Sequence, residues 1–344
     1  MSARLHILQP GPQTSVQDLG RRFYQALGVP VCGALDPMAL RLANRLVGND
    51  EGEAGLECRL IGPVFAIRGG GARLALAGAS ADIQVEAGGE VLTYPAWRSF
   101  DVPEGANVRV GGLRGSGCAM LAIAGGLAVP AVLGSRATDL KGGFGGHQGR
   151  ALRAGDEIAL NGAALAGPCA ELPSPPSLAF SGTLRVVLGP QAEAFSDAGI
   201  ATFLGSTYRV SREADRMGMR LEGKPLAFAT GADIVSDGIA TGSIQVPGSG
   251  LLIVLLADHQ TIGGYAKIAT VISADLPAAA RLLPGAELRF VAVSVAEAEE
   301  ARRASEAGIV RLIASISPVR ECASIDEAAL HGSNLISGVV SAQG

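Results

Sequence analysis

The chain has 344 residues, of which 48% are hydrophobic and 17% are charged, and its formal net charge is −4. This composition excludes a largely disordered chain, and the lack of a basic excess argues against a nucleic-acid-binding protein. Glycine occurs 48 times, and because glycine destabilises helix interiors, a long coiled coil is also excluded.

The chain is predicted to consist mainly of strands, with one clear early helix near residues 37–47. Asp36 can cap that helix, Pro37 takes its first position, and Gly48 follows its end. Elsewhere, short apolar or alternating runs lie between Gly, Asp and Pro residues, which is typical of strands. Strands and helices do not alternate regularly, so the pattern favours an all-β barrel or sandwich over a doubly wound sheet.

Residues 115–135 contain no charged side chain and are numerous enough to span a bilayer. They include five glycines and a proline, so we predict a buried strand followed by a turn, and no membrane association. The N-terminus lacks the apolar stretch of a secretory signal peptide. Five scattered cysteines without a Cys-x-x-Cys pair are typical of a reducing compartment, so a cytoplasmic location is expected.

A proline-rich stretch near the middle of the chain predicts the domain organisation. Residues 173–177 read Pro-Ser-Pro-Pro-Ser, and proline cannot pair within a central strand. We predict an N-terminal β-barrel domain over residues 1–172, with the helix near 37–47 as an insertion, and a C-terminal β-barrel domain over residues 178–294. Further helices are predicted at about 191–198 and 295–307, and residues 295–344 form a helical or irregular tail.

Several catalytic motifs are absent from the sequence. It has no phosphate-binding G-x-x-x-x-G-K-[ST] loop, no G-x-G-x-x-G turn, no G-x-S-x-G elbow and no H-E-x-x-H pair. None of the three lysines follows a methionine, as a biotin attachment site would require. We therefore expect no self-contained ATPase, no NAD enzyme and no metal site, and another chain would supply part of any phosphate or carboxyl chemistry.

Residues 134–150 form the first segment with a possible function. Five of the eight positions 142–149 are glycine. Three cationic residues flank them: Arg136 and Lys141 come before and Arg150 comes directly after. Accessible backbone N–H groups in such a loop can bind an anion. A flexible hairpin explains the same residues equally well.

Residues 211–222 form the second segment. Arg216 and Arg220 are four positions apart, and their guanidinium groups could hold a carboxylate or a phosphate in a fixed plane. Asp215 could instead neutralise them in a structural network, so both interpretations stay open.

Residues 242–267 form the third and richest segment, because polar side chains follow a buried strand there. Asp258 and His259 could act in acid–base chemistry, and Lys267 could bind a carboxylate. Adjacent strand residues point to opposite faces, so Asp258 and His259 are not expected to act together. A purely structural role for these residues is the alternative.

Taken in order, short motifs along residues 5–290 resemble the KipA-type family, also called allophanate hydrolase subunit 2 or the C subunit of 5-oxoprolinase. The motifs are Gly11-Pro-Gln-Thr-Ser-Val-Gln-Asp-Leu-Gly-Arg21, Gly28-Val-Pro30, Gly33-Ala-Leu-Asp36, Ala43-Asn-Arg-Leu-Val-Gly-Asn49, Leu133-Gly-Ser-Arg136, Phe144-Gly-Gly146, Gly149-Arg150, Asp215-Arg-Met-Gly218, Ile244-Gln-Val-Pro247 and Gln260-Thr-Ile-Gly-Gly-Tyr265. The same pattern is similar to the C-terminal part of the urea carboxylase carboxyltransferase domain.

The resemblance implies a mainly β fold of two cyclophilin-like β-barrel domains with a few short helices. It also implies a function as the C subunit of an ATP-dependent 5-oxoprolinase, which opens 5-oxo-L-proline to L-glutamate together with a KipI-type B subunit and a LamB/YcsF-type A subunit. The complex would use ATP, which no recognisable motif of this chain binds. One alternative is a biotin-dependent carboxyltransferase, with the biotin on a separate carrier; another is a non-catalytic regulatory partner of a KipI-like protein.

Candidate site residues follow from the polar segments and the resemblance together. The residues expected to be catalytic are Asp258, Lys267, Gln260 and Tyr265. The residues expected to bind the substrate or an anion are Arg136, Arg150, Asp215, Arg216, Arg220, Gln245 and Thr261.

Overall fold

A computed structural model of the chain describes residues 3–162 and 167–319. Within these residues the fold is mainly β with few helices, as the sequence predicts. The strands of the N-terminal half are β1 (Arg4–Gln9), β2 (Gln13–Gln17), β3 (Gly55–Arg59), β4 (Val64–Arg68), β5 (Ala72–Ala77), β6 (Ile83–Ala87), β7 (Glu90–Tyr94), β8 (Ser99–Val102), β9 (Asn107–Val110), β10 (Cys118–Ile123), β11 (Glu157–Ala159) and β12 (Ala170–Glu171).

The N-terminal half forms two sheets around one apolar core. A six-stranded sheet has the order β11-β1-β4-β9-β6-β7, and a five-stranded sheet has the order β2-β3-β10-β5-β8. The core between them includes Leu5, Phe65, Leu74 and Leu121. Strands that follow one another along the chain often do not pair; β4, for example, lies between β1 and β9.

The helix predicted near residues 37–47 is present as α1 (Pro37–Leu46), and Asp36 caps it by accepting a hydrogen bond from the Ala39 N–H at 3.1 Å. Helix α1 covers the outer face of β5 and β10. Both faces of β10 are therefore buried, which explains why the uncharged segment 115–135 reads as a continuous apolar run. Among the described residues, no helix is long and apolar enough to cross a membrane.

The C-terminal half contains a closed barrel with the strand order β13-β20-β17-β18-β15-β14-β21. Strands β13 and β21 run parallel, and the other neighbours in the barrel are antiparallel. The bounds are β13 (Thr183–Leu188), β14 (Tyr208–Ala214), β15 (Gly218–Glu222), β17 (Ser243–Gln245), β18 (Ile253–Leu255), β20 (Lys267–Val271) and β21 (Glu287–Ala292).

Two further strands of this half, β16 (Asp233–Gly238) and β19 (Ile262–Tyr265), pair with each other and, in the part of the chain that the structure describes, with no other strand. We call this pair the ribbon. Its apolar side chains are largely exposed, with Val235 at 92% and Ile262 at 61%. The ribbon continues directly into the barrel, since only Ala266 separates β19 from β20.

The later helices differ in their bounds from the sequence prediction. In place of the helix predicted at 191–198, Ala192–Ala194 form a short 3-10 turn and α2 (Asp197–Gly205) begins at Asp197. The reason is Ser196, whose extended backbone and side chain cap α2 by accepting a hydrogen bond from the Gly199 N–H at 3.1 Å. A short helix, α3 (Leu276–Arg281), follows β20.

Helix α4 (Val295–Ala314) extends beyond the predicted end at residue 307. Leu312 and Ile313 near its end are partly buried against the cluster around α1, and this contact stabilises the last turns of the helix. Arg41 of α1 also forms ion pairs with Glu306. After α4, β22 (Ser317–Pro318) pairs with β12. Residues 320–344 of the predicted tail lie outside the described residues.

The two halves of the chain contact each other through apolar and charged groups. Leu35 and Cys118 of the N-terminal half cluster with Leu256 and Ala280 of the C-terminal half. Beside this cluster, Arg281 donates a hydrogen bond to Asp36 at 2.6 Å. The Asp36 that caps α1 thus also joins the two halves. The division of the chain at residues 173–177 stays a prediction.

Candidate functional site

A cavity of about 550 Å³ lies against the C-terminal barrel, between the β14–β15 hairpin and the ribbon. Its apolar floor comes from barrel side chains such as Ile253 and Leu255. The polar residues that line it are Arg212, Glu213, Asp215, Arg220, Gln245, Gln260 and Tyr265. The structure therefore brings together five of the residues predicted from the sequence, which come from three separate stretches of the chain.

Two glutamine side chains form the inner polar wall of the cavity. Gln260 Nε2 donates to Gln245 Oε1 at 3.3 Å. Gln245 is only 2% exposed, and its Nε2 has no hydrogen-bond partner among the described residues. Because a buried donor without a partner is costly, this amide is suited to donate to a carbonyl or carboxylate oxygen of a ligand.

The ribbon approaches this glutamine pair closely at Gly263. A Cβ atom at Gly263 would lie 2.7 Å from Gln245 Nε2 and 2.8 Å from Ile239 Cδ1. A residue without a side chain is therefore what lets the ribbon pass over the buried amide. Tyr265, two residues further along β19, is 43% exposed and lines the cavity from the ribbon side.

Charged side chains surround the outer part of the cavity. Arg220 forms an ion pair with Glu213 at 2.9 Å, and both side chains are well exposed. Asp215 Oδ1 accepts hydrogen bonds from the N–H groups of Met217 and Gly218, at 2.8 and 3.2 Å. Asp215 thus shapes the β14–β15 turn, and Arg220 stays accessible to an anionic ligand.

Arg216 points away from the cavity into the contact between the two halves. Its guanidinium donates to both carboxylate oxygens of Asp258, at 2.9 and 2.7 Å, and to the Gly33 carbonyl oxygen at 2.7 Å. Another nitrogen donates to Glu57 of β3, whose second oxygen accepts from the Leu35 N–H at 2.7 Å. All three charged side chains are almost completely buried.

This arrangement gives Arg216 and Asp258 a structural position rather than a place on the cavity wall. Burial opposes the charge on Arg216, but Glu57 and Asp258 outweigh it and raise the pKa of Arg216 above its ordinary value. A carboxylate already accepting two charge-assisted hydrogen bonds is poorly placed to take a proton from a substrate. For residues 211–222, ligand binding and a structural network were both left open. Arg216 belongs to a structural network, and the carboxylates that neutralise it are those of Asp258 and Glu57.

His259 is held by two hydrogen bonds inside the same half. Its Nδ1 lies 2.6 Å from the Gln260 carbonyl oxygen, and its Nε2 lies 3.0 Å from Thr241 Oγ1. Since a carbonyl only accepts, Nδ1 carries the proton and Nε2 accepts from the hydroxyl. Burial lowers the pKa of His259. As expected, Asp258 and His259 do not act together: Asp258 binds Arg216, whereas His259 binds Thr241 and the Gln260 carbonyl oxygen.

Lys267 and Thr261 lie behind the cavity wall. Lys267 is 1% exposed, and its Nζ donates to Asp237 Oδ2 of the ribbon at 2.8 Å. Thr261 is also buried, and its carbonyl oxygen accepts from the Ile239 N–H at 3.0 Å. Lys267 is therefore one strand away from the glutamine pair, because it is the register partner of Gln245.

Arg136 and Arg150 belong to the N-terminal half and do not line the cavity. Arg136 pairs with Glu53 at 3.3 Å, and Arg150 pairs with both oxygens of Asp156. Arg150 is the leading cause that lowers the pKa of Asp156 to about 2.

The glycine-rich loop near these arginines is folded around a side chain of its own. Asp139 Oδ1 accepts from the N–H groups of Lys141 and Gly142, at 3.1 and 2.7 Å. Three further glycine N–H groups of the loop, those of Gly143, Gly146 and Gly149, donate to backbone carbonyl oxygens. These five backbone donors of the loop are thus already bound within the protein. Gly145 and Gly149 adopt positive φ with a neighbouring carbonyl oxygen 2.1 and 2.0 Å from the position of a Cβ, so close packing explains the glycines there.

Sequence reasoning missed three charged residues of this region. Arg212 and Glu213 are adjacent residues of β14 and both are exposed, because the strand register shifts between Val210 and Ala214. The alternation of a regular strand would have placed them on opposite faces, so it gave no signal for the pair. Glu57 carried no usable signal, because it is 159 residues away from Arg216. Among the described residues, no group of three or more His, Cys, Asp or Glu side chains could hold a metal ion.

Comparison with known proteins places the chain in a family. Residues 27–292 match the family described as carboxyltransferase domain, subdomain A and B. The C subunit of 5-oxoprolinase from Escherichia coli (strain K12) is 36% identical over 305 residues, which cover 87% of this chain and 94% of that protein. The chain belongs to this carboxyltransferase-domain family, and the resemblance identified from the motifs is confirmed.

Two solved structures share the fold. The crystal structure of TTHA0988 in space group P212121 is 36% identical with a TM-score of 0.74, covering 85% of this chain and 55% of that chain. The K. lactis urea amidolyase structure is 27% identical with a TM-score of 0.81, covering 92% of this chain and 21% of that chain. This chain thus spans about half of the first structure and about a fifth of the second.

Proposed function

We propose that this chain is the C subunit of an ATP-dependent 5-oxoprolinase, which hydrolyses 5-oxo-L-proline to L-glutamate together with a KipI-type B subunit and a LamB/YcsF-type A subunit. The proposal rests on the 36% identity that extends over 94% of the E. coli protein of that name. The name of that relative describes one component of a larger enzyme, which agrees with a chain that carries no nucleotide-binding motif of its own. ATP would be used by the complex, and a cytoplasmic location is part of the same proposal.

The cavity supplies groups that suit a lactam substrate. Gln245 Nε2 is a buried donor without a partner among the described residues, and a lactam carbonyl oxygen is an acceptor of matching chemistry. Gln260 fixes the orientation of this amide through Gln245 Oε1. A hydrogen bond to the carbonyl oxygen withdraws electrons from the carbonyl carbon and stabilises the negative charge that develops when a nucleophile attacks it.

The outer part of the cavity carries cationic side chains that suit anionic ligands. Arg220 and Arg212 are exposed cations on its rim, and either can contact an anionic ligand or a phosphate delivered from a partner protein. Tyr265 places a hydroxyl on the ribbon side of the same space. Asp258 has no role in proton transfer in this proposal, because both of its oxygens bind Arg216.

A biotin-dependent carboxyltransferase is the second candidate function. It is favoured by the TM-score of 0.81 with the K. lactis urea amidolyase. The same unpartnered Gln245 amide would suit a urea carbonyl oxygen, and the biotin would arrive on a separate carrier. Neighbouring genes for a biotin carboxylase and a carrier would favour this function, whereas a neighbouring LamB/YcsF-type gene favours the 5-oxoprolinase.

The test measures ATP hydrolysis that depends on 5-oxo-L-proline. The sample is this chain co-purified with the A and B subunits encoded beside it, and the control is the A and B subunits without this chain. Turnover only with all three proteins supports the proposal. Gln245→Leu is then expected to abolish most of the activity, whereas Gln84→Leu, at an exposed position of β6, should not change it.

A well-folded complex without turnover would contradict the proposal. Carboxyl transfer from carboxybiotin to urea would then be measured. A tight complex with the KipI-type protein that shows neither activity would instead identify a regulatory partner of a KipI-like protein.

A further inference from the structure

The ion pair between Lys267 and Asp237 joins a buried cation to an exposed anion. The Lys267 side chain is 1% exposed, whereas the Asp237 side chain is 52% exposed. Within residues 3–162 and 167–319, Asp237 is the only hydrogen-bond partner of the Lys267 ammonium. Gln191 supports the pair from the other side, since its Nε2 donates to the same Asp237 oxygen at 3.1 Å and its Oε1 accepts from the Lys267 N–H at 3.2 Å.

This pair lies directly behind the glutamine wall of the cavity. Lys267 of β20 is the register partner of Gln245 of β17, and Asp237 is the register partner of Gly263 on the ribbon. Gly263 is the residue that passes close to Gln245 Nε2. The ammonium and the unpartnered amide therefore lie on neighbouring strands of the barrel, and the ribbon that passes over them carries the carboxylate.

The anion of the pair lies on the two-stranded ribbon, outside the closed barrel. Among the described strands, β16 and β19 pair with no strand but each other, and most of their residues are exposed. Segments with few buried apolar contacts open at low free-energy cost. If the ribbon moves outward, Asp237 leaves with it, whereas Lys267 stays in the barrel wall.

A buried ammonium without a counter-charge is strongly destabilising, because it has lost its hydration. Removal of Asp237 is therefore favourable only when another anion takes its place. A ligand that carries a carboxylate can make this exchange, and a neutral amide such as urea cannot. The exchange thus discriminates between ligands by charge.

We propose that Asp237 occupies the place of a ligand carboxylate, and that the Lys267 ammonium recognises substrates that combine a carboxylate with an amide or lactam carbonyl. This inference rests on the proposed function and extends it, since 5-oxo-L-proline has both groups on one ring. The carboxylate would bind Lys267 while the carbonyl oxygen accepts from Gln245 Nε2. Asp237 is a positioning residue that competes with the ligand and does not touch it.

The chain has three lysines, and the other two, Lys141 and Lys224, are exposed. NMR of the full chain with labelled lysine side chains therefore gives one signal for the site and two internal references. The probes are 5-oxo-L-proline, 2-pyrrolidinone, which is the same lactam without the carboxylate, succinate and urea. Isothermal titration calorimetry measures the affinities.

We expect 5-oxo-L-proline to shift the Lys267 signal alone, and 2-pyrrolidinone and urea to leave it unchanged. Asp237→Asn should tighten binding of 5-oxo-L-proline by about tenfold, because the apparent Kd falls as the binding-competent fraction rises. The affinity for 2-pyrrolidinone should not change. Lys267→Met should remove the preference for the carboxylate, and Asp233→Asn, at another exposed position of β16, should behave as the unmodified chain.

Weaker or unchanged binding of every carboxylate by Asp237→Asn would overturn the inference, as would an equal shift of Lys267 by neutral probes. If 5-oxo-L-proline does not bind but succinate shifts Lys267 and binds more tightly to Asp237→Asn, carboxylate recognition stands and the proposed substrate fails. If no carboxylate shifts Lys267 while the complex turns over 5-oxo-L-proline, the proposed function stands and the recognition by Lys267 is wrong.

Discussion

Asp258 accepts two hydrogen bonds from the guanidinium of Arg216, and this pair sits in the contact between the two β halves of the chain. Glu57 from the N-terminal half completes the group on the other side of Arg216. The hairpin that carries Arg216 also carries Asp215 and Met217, which line the cavity. The N-terminal half therefore fixes the position of one cavity wall without lining the cavity.

Substitution of Arg216 is expected to destabilise the fold. Arg216→Met leaves two carboxylates buried without a counter-charge, so the free energy of unfolding should fall by about 3–5 kcal/mol. Arg220→Met, which removes the exposed pair with Glu213, should change it by about 0.5 kcal/mol or less. Urea denaturation of both variants measures the difference, and equal values would contradict the structural assignment of Arg216.

Substitution of Gly263 is expected to affect the site more than the fold. A Cβ at this position meets Gln245 Nε2 and Ile239 Cδ1, which are the far ends of flexible side chains. Gly263→Ala should therefore displace the Gln245 amide and lower 5-oxo-L-proline-dependent ATP hydrolysis, with a loss of stability of at most about 1 kcal/mol.

The matched control is Gly264→Ala on the same strand. The nearest atom to a Cβ there is the Ile234 carbonyl oxygen at 3.4 Å, which is an ordinary contact. This variant should retain full activity. Equal activity of the two variants, in complexes with both partner proteins, would show that the position of the Gln245 amide does not matter.

Protonation of His259 is expected to reduce stability below neutral pH. Burial lowers the pKa of His259 below its ordinary value of 6.5 in the folded chain, so the unfolded chain binds the proton more tightly. The stability contribution is therefore complete above pH 6.5 and is lost as the pH falls below it. His259→Gln cannot titrate, so its free energy of unfolding should depend less on pH between about pH 7.5 and 5.5. Urea denaturation at several pH values measures this, and an unchanged slope would rule out His259 as its source.

Phe23 is expected to tolerate glycine unusually well. It is 93% exposed and has a φ of 75°, a conformation that costs a residue with a Cβ about 1–2 kcal/mol. Phe23→Gly should leave the free energy of unfolding unchanged or raise it by up to about 1 kcal/mol.

Leu27 provides the comparison for Phe23. It is 77% exposed and lies in a 3-10 turn with ordinary backbone angles. Leu27→Gly should lower the free energy of unfolding by about 0.5–1 kcal/mol, because glycine there only adds freedom to the unfolded chain. Thermal denaturation of the two variants tests the contrast, and a larger loss for Phe23→Gly would show that its side chain has a structural role.

The sequence by itself determined the features that depend on short-range pattern. Asp36 and Pro37 marked the start of α1, and the glycine-rich uncharged segment marked a buried strand, because capping and burial act between neighbours along the chain. The order of the family motifs also assigned Gln245, Gln260 and Tyr265 to one region, and all three line the cavity. The helix predicted at residues 191–198 shows the limit of such patterns. Ser196 caps α2, so the helix begins at Asp197 and not at residue 191.

Only the tertiary structure decided which side chains act together. Arg216 looked like a ligand-binding cation, but its partners Asp258 and Glu57 lie 42 and 159 residues away. Asp237 carried no signal, because an exposed aspartate on a polar strand is ordinary until Lys267 is found beneath it. Strand pairing between distant segments fixes these neighbours, and the low dielectric of the interior then determines whether a charge is paired within the protein or left for a ligand.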